Sequence, residues 1–127
     1  MQYVSWKDDT TTLTVPPKKW TLMTLTVDGK KLDVIKPAVD ALAQLAWYIN
    51  VDDKADAKTL SVRFSRDPKG LNDFTGQTSI DLTNNDISSH VWFIKAKVGV
   101  PIGVMVYHNG TKPVKIGTRE FKAAIGA

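Results

Sequence analysis

Leu60-Ser61-Val62-Arg63-Phe64-Ser65-Arg66 alternates apolar and polar residues without a break. Leu60, Val62 and Phe64 share one face, while Ser61, Arg63 and Ser65 share the other. A period of two belongs to an extended strand with one face buried and one face wet. The pattern recurs in short runs rich in Thr and Val. Tyr3 to Lys7, Thr10 to Val15, Trp20 to Val27, Lys30 to Ile35 and Thr59 to Arg66 each read as a strand. So do Thr78 to Leu82, Val91 to Val98, Ile102 to His108 and Val114 to Ile116. Pro16-Pro17 ends the second, because neither proline can donate to a ladder. Asp28-Gly29 offers the two positive-φ positions of a type I′ turn between Val27 and Lys30. Val91-Trp92-Phe93-Ile94 is apolar on both faces, then Lys95 and Lys97 alternate with Ala96 and Val98. That is the pattern of a central strand covered on both sides. Leu60, Val62, Phe64, Trp92, Ile94, Val104 and Val106 are the expected core.

Lys36 to Asn50 departs from the alternation. Pro37 suits a first helical position, and Val39, Leu42, Leu45 and Ile49 recur at spacings of three and four. Leu45, Trp47, Ile49 and Val51 also alternate. A short helix over residues 38–44 feeding a strand from Leu45 to Val51 satisfies both signals. Asp67 to Gly76 is dense in turn formers and is the longest expected loop. Thr118 to Ile125 fits either a strand or one or two helical turns. Eight to ten short strands at this spacing predict an all-β, mainly antiparallel fold. The expectation is a single-domain β-sandwich over residues 1–127, jelly-roll-like, with that one short helix.

Composition narrows the setting. The chain has 127 residues, 43% hydrophobic and 24% charged, which is ordinary for a globular domain. No apolar run approaches the roughly 18 residues of a membrane span. The N-terminus lacks a basic stretch followed by an apolar one, so synthesis in the cytoplasm without a signal peptide is expected. With no cysteine, disulfides, Cys-ligated zinc and thiol nucleophiles are excluded. The net charge of +4 is spread out, and Lys18-Lys19 and Lys30-Lys31 are the only adjacent basic pairs. Nucleic-acid binding clusters its positive charge, so no specific nucleic-acid partner is expected.

Candidate chemistry is sparse. Glu120 is the only glutamate among 13 acidic residues, and most aspartates stand where turns use them, as in Asp8-Asp9, Asp28-Gly29 and Asp67-Pro68. Asp33 and Asp81 lie within expected strands, but no feature pairs them as a glycosidase requires. His90 and His108 flank two neighbouring strands and would meet only if these form a hairpin. Asp67, Asn72 and Asp73 offer oxygens to calcium without the spacing of an EF-hand. No Gly-x-Ser-x-Gly elbow and no phosphate-binding loop is present. No catalytic residue, metal site or cofactor is therefore expected.

The expected function is a non-enzymatic module that docks onto a larger assembly or onto copies of itself. A capsid-decorating or tail-associated accessory of a phage virion has this texture. A carbohydrate-binding module or lectin, using exposed Trp and Tyr, is the alternative, and a small β-barrel hydrolase or isomerase the remote one. Trp20, Tyr48 and Arg66 are the candidate interaction residues: Trp20 because its strand face looks partly wet, Arg66 because it leads into the longest loop. Tyr and Trp serve protein and sugar contacts alike.

Overall fold

The computed structural model of the chain describes residues 1–66 and 73–126. Among them, the strands are β1 (Gln2–Asp8), β2 (Leu13–Val15), β3 (Thr21–Leu22), β4 (Leu25–Val27), β5 (Lys30–Leu32) and β6 (Val34–Ile35). They continue as β7 (Ala41–Asp53), β8 (Thr59–Ser65), β9 (Phe74–Asp81), β10 (Ile87–Ala96), β11 (Ile102–Tyr107) and β12 (Val114–Gly126). Every pairing is antiparallel. The first sheet runs β1–β12–β7–β10, with β2 also on β12. The second runs β3–β11–β8–β9, with β6 also on β11, and β4–β5 form a separate ribbon. From β7 onward the chain passes to the second sheet for β8 and β9, back for β10, across again for β11, and back for β12. The result is a β-sandwich.

Alternation explains the core. Leu45, Trp47 and Ile49 of β7 and Phe121, Ala123 and Ile125 of β12 point inward from the first sheet, all buried. Leu60, Val62 and Phe64 of β8 meet them from the second, with Val104 and Val106 of β11, also buried. Phe64 and Phe121 span the gap, ring centroids 6.4 Å apart. Such interdigitation of two inner faces is what closes a sandwich. The turn at Asp28-Gly29 forms as expected, with φ of 50° and 78°, and Val27 pairs with Lys30 across it.

Four expectations are corrected. No helix covers residues 38–44: 38–40 are bends, and Ala41–Asp53 is one 13-residue strand. A helical stripe would need Val39 and Leu42 on the core, yet they are 46% and 60% exposed. Lying between β12 and β10, this segment has both ladders satisfied as strand, and that overrides its helical spacing. Trp20 to Val27 is broken at Met23-Thr24, where the chain leaves the second sheet for the ribbon, although Met23 N–H still reaches the Val104 carbonyl at 2.7 Å. Strand β2 begins only at Leu13, because the Asp8 carboxylate gathers the N–H groups of Thr10 and Thr11 into a turn at 2.9 and 3.0 Å. Finally, β10 is an edge strand and not a central one. Trp92 is consequently 39% exposed, although it points inward with Ile94 and Ala96. The open segment at the C-terminus is strand, continuous with Val114–Ile116 through two register shifts.

At those shifts sits a buried ion pair. Arg119 and Asp8 are 2% and 1% exposed, and Arg119 Nη2 lies 3.1 Å from Asp8 Oδ2. The guanidinium also donates to the carbonyls of Thr24 (2.6 Å), Thr11 and Gly117 (both 3.0 Å) and to Thr11 Oγ1 (3.1 Å). All five donors are used. Asp8 further accepts from the Thr11 hydroxyl and from Thr26 N–H. Burial alone would raise its pKa, but the Thr11 hydroxyl and the N–H groups of Thr26, Thr10 and Thr11 hold it well below the usual carboxylate range.

Candidate functional site

The outer face of the first sheet is built from the residues that alternate with its core. On β7 these are Leu42, Gln44, Ala46, Tyr48 and Asn50. Register places Lys95, Phe93, Val91, Ser89 and Ile87 of β10 beside them in that order. On the other side stand Gly126, Ala124, Lys122 and Glu120 of β12, opposite Leu42 to Tyr48, and beyond them Tyr3, Ser5 and Lys7 of β1. Ala46 and Ala124 leave low points in the floor between larger neighbours. Tyr3 at 69% and Phe93 at 58% are the most exposed rings of this face.

Two shallow depressions follow. One of about 250 Å³ is lined by Ala46, Tyr48, Ser89, Val91, Glu120 and Lys122, together with Trp47 and His90. The other, about 170 Å³, lies between Tyr3, Gln44, Ala46, Lys122, Ala123 and Ala124. Lys122 Nζ, common to both, is 3.3 Å from Glu120 Oε1. Along the β10 margin, Ile87, Val91, Trp92 and Phe93 are 53%, 49%, 39% and 58% exposed. Ile87, Val91 and Phe93 make an apolar band on one face of the strand, beside a floor whose central charges, Glu120 and Lys122, pair with each other. Such a surface recognises by contact area and stacking.

The second sheet covers its own outer face. Arg63, 5% exposed, lies under the rings of Trp20 and Phe74, its guanidinium carbon 3.8 and 4.1 Å from their centroids. Tyr107 packs on Trp20 at 5.2 Å. Trp20, half-buried, is thus held in a stack on that outer face. Of the other sequence candidates, Tyr48 lies on the open face, and Arg66 is bound to Asp73 Oδ1 at 2.9 Å at the sandwich rim. No contact among the described residues joins the three. Phe93 and Val91 escaped the sequence analysis, because four consecutive apolar residues fit a covered strand as well as an exposed edge. The phase set by Ile94 and Ala96 was the signal that Phe93 points outward.

The titratable groups are engaged locally. His108 is buried, with Nε2 2.9 Å from the Val15 carbonyl and Nδ1 accepting from Gly110 N–H at 3.1 Å. That geometry is the Nε2–H tautomer. His90 instead stacks on Trp92 in the first sheet, centroids 5.8 Å apart. The Thr111 hydroxyl and N–H lower the Asp56 pKa to about 2, tying the β7–β8 turn to the loop before β12. Asp81 is held below its ordinary value by the Thr83 hydroxyl and the Asn84 amide, an exposed turn carboxylate. Among the described residues no group of three His, Cys, Asp or Glu is placed to hold a metal ion. Asp67 and Asn72, the other sequence candidates for calcium, lie outside the described residues. Likewise, no described helix is long and apolar enough to cross a membrane.

No family model and no curated protein matches the chain. Solved structures do resemble it. A subunit of Bacillus endospore appendages, described as disulfide-linked pili, superposes at a TM-score of 0.51 with 8% identity, over 98% of this chain and 89% of that one. The CBM22-1 xylan-binding domain of a Paenibacillus barcinonensis protein gives 0.47 at 9%, over 96% and 92%. The C-terminal CBM6 of LamC, a marine laminarinase from Zobellia galactanivorans, gives 0.44 at 9%, over 94% and 98%. At a TM-score of 0.51 and 8% identity, the likeness to the appendage subunit is one of fold. The disulfide linkage of the appendage protein has no counterpart here, since the chain has no cysteine.

Proposed function

We propose that this chain is a non-enzymatic docking subunit of a protein assembly, which it meets through the outer face of the first sheet and its β10 margin. One observation carries this: Ile87, Val91 and Phe93 are exposed on the same face of an edge strand. Exposed apolar patches rimmed by polar residues mark protein contacts, and aromatic anchors supply most of their energy. Local engagement of His108, Asp8 and Arg119 in structural bonds supports a role without catalysis. Within this proposal the chain belongs with the capsid-decorating or tail-associated subunits of a tailed phage, where a small cysteine-free sandwich suits building into a particle. Genes for capsid, portal or tail components beside its own would support that placement, and a neighbourhood of polysaccharide enzymes would overturn it.

The decisive variant is Val91→Lys/Phe93→Lys. Both sites are exposed, so the melting temperature should stay within a few degrees of wild type. Co-sedimentation with the assembly from the source cells should be lost. A variant that folds and still joins the assembly unchanged overturns the proposal. A second reading is favoured by Tyr3 and Tyr48 around the two depressions: a glycan laid across the face. Retardation of the wild type in gels cast with a neutral polysaccharide, abolished by Tyr48→Ala, would transfer the function to that class.

A further inference from the structure

Strand β10 pairs with β7 without a register shift, from Ile87↔Asn50 to Ala96↔Ala41. In an antiparallel ladder, alternate residues turn both backbone groups toward the same neighbour. Val51 N–H bonds to the Asp86 carbonyl at 2.8 Å. Ser88, His90, Trp92, Ile94 and Ala96 therefore address β7, and Ile87, Ser89, Val91, Phe93 and Lys95 turn their N–H and C=O to the free side. Arg66 Nη1, reaching the Lys95 carbonyl at 3.4 Å from the second sheet, agrees with that phase. Among the described residues no hydrogen bond reaches the backbone of the other four from the free side. Those four include the apolar side chains exposed on the outer face. Unpaired backbone and apolar surface coincide.

Sheets that stay alone guard such an edge with prolines, bulges or charges. Strand β9, the edge of the second sheet, has a register shift opposite Val62 and Phe64 and a positive-φ Gly76. Strand β1 ends at Asp8, whose carboxylate takes Thr26 N–H from β4 at 2.7 Å. Strand β10 carries a charge guard at Lys95, where Arg66 also sits, but from Ile87 to Ile94 it contains no proline, no Lys, Arg, Asp or Glu and no bulge.

We infer that this edge pairs antiparallel with the same edge of a second copy, Ile87 opposite Phe93 and Ser89 opposite Val91 about a two-fold axis at His90. The inference rests on the docking proposal and names its partner. Two observations select a second copy. Among the described residues of β10, only Ile87, Ser89, Val91 and Phe93 have groups free on the outer edge, and this register uses all four while leaving Lys95 with Arg66. It also sets two Ile–Phe cross-strand pairs on the outer face, a favourable combination. Charge agrees with the direction: Asp86 precedes the stretch, while Lys95 and Lys97 follow it. Antiparallel pairing brings the acidic end of one copy beside the basic end of the other, whereas parallel pairing would align the lysines. An isologous contact of this kind closes at a dimer, and the two first sheets become one.

Sedimentation equilibrium of the full chain should show concentration-dependent doubling of mass. The Phe93→Lys variant, with its fold verified by circular dichroism, should remain at the monomer mass. With no native cysteine, register is testable directly: an oxidised mixture of Ser89→Cys and Val91→Cys chains should yield the mixed dimer in excess over either chain alone. Wild type that stays monomeric at every concentration, or a dimer indifferent to Phe93→Lys, overturns the inference. Equal cross-linking in all three samples overturns the register. A monomeric chain captured by its assembly and released by Val91→Lys/Phe93→Lys would reject self-pairing and leave the docking proposal standing.

Discussion

Arg119 reaches three segments distant in sequence: the end of β1 through Asp8, the turn after it through Thr11, and the approach to β4 through Thr24. Its fully used guanidinium turns a polar side chain into a clamp inside the sandwich. Removing one partner leaves the other charged and buried. Asp8→Ala should therefore cost about 3–5 kcal/mol in urea denaturation. The double variant Asp8→Ala/Arg119→Met should recover part of that loss, because no charge is then stranded. A single-variant loss below about 1 kcal/mol would mean that water reaches the pair. Asp8 was legible as a turn residue, and it does bind Thr10 and Thr11. Its pairing with Arg119 was not, because one arginine between Thr118 and Glu120 gives no hint of a partner at the other end of the chain.

At the scale of the element, β9 and β10 meet where Trp92 crosses from one sheet to the other. Its Nε1–H donates to Thr75 Oγ1 at 3.0 Å. Its ring lies over Gly76, where a Cβ would come within 2.8 Å of Cγ, at a φ of +63°. Gly76→Ala meets both a clash and a backbone penalty. A loss of about 1–3 kcal/mol and a shift in tryptophan fluorescence are expected, and unchanged stability and emission would show that Trp92 does not rest there. Strand existence was widely legible, because a period of two appears wherever one face is buried, as in β8. Strand position was not. Val91 to Ile94 carries the same letters whether covered or exposed, and only the neighbours of β10, set by chain topology, decide. Helical spacing over residues 38–44 misled for a related reason: it is a local signal, and β7 answers to two ladders at once. The candidate site was legible only at Tyr48, since a face assembled from four strands has no footprint in any one segment.

For the whole molecule, acid is the informative perturbation. Asp8 and Asp56 both have folded pKa values below the unfolded value of about 3.9. Groups of this kind stabilise the fold fully above the unfolded pKa, and the contribution fades as pH falls through the folded values. Unfolding free energy should be level down to about pH 5 and decline from about pH 4 toward pH 2. Asp56→Asn should flatten that decline, and a profile unaltered by it would remove Asp56 as a contributor. The first sheet carries one more consequence. Its partner for β1 is β12, the last of the described strands, which also supplies one of the two ladders of β7. During synthesis β1 emerges well before β12 and waits without a sheet neighbour until β12 has left the ribosome. Closing the first sheet therefore waits on β12, and is slow, as for chains that must close long loops before any reward. Through that interval β7, with its apolar Leu45, Trp47 and Ile49, is the segment a chaperone would have to shield.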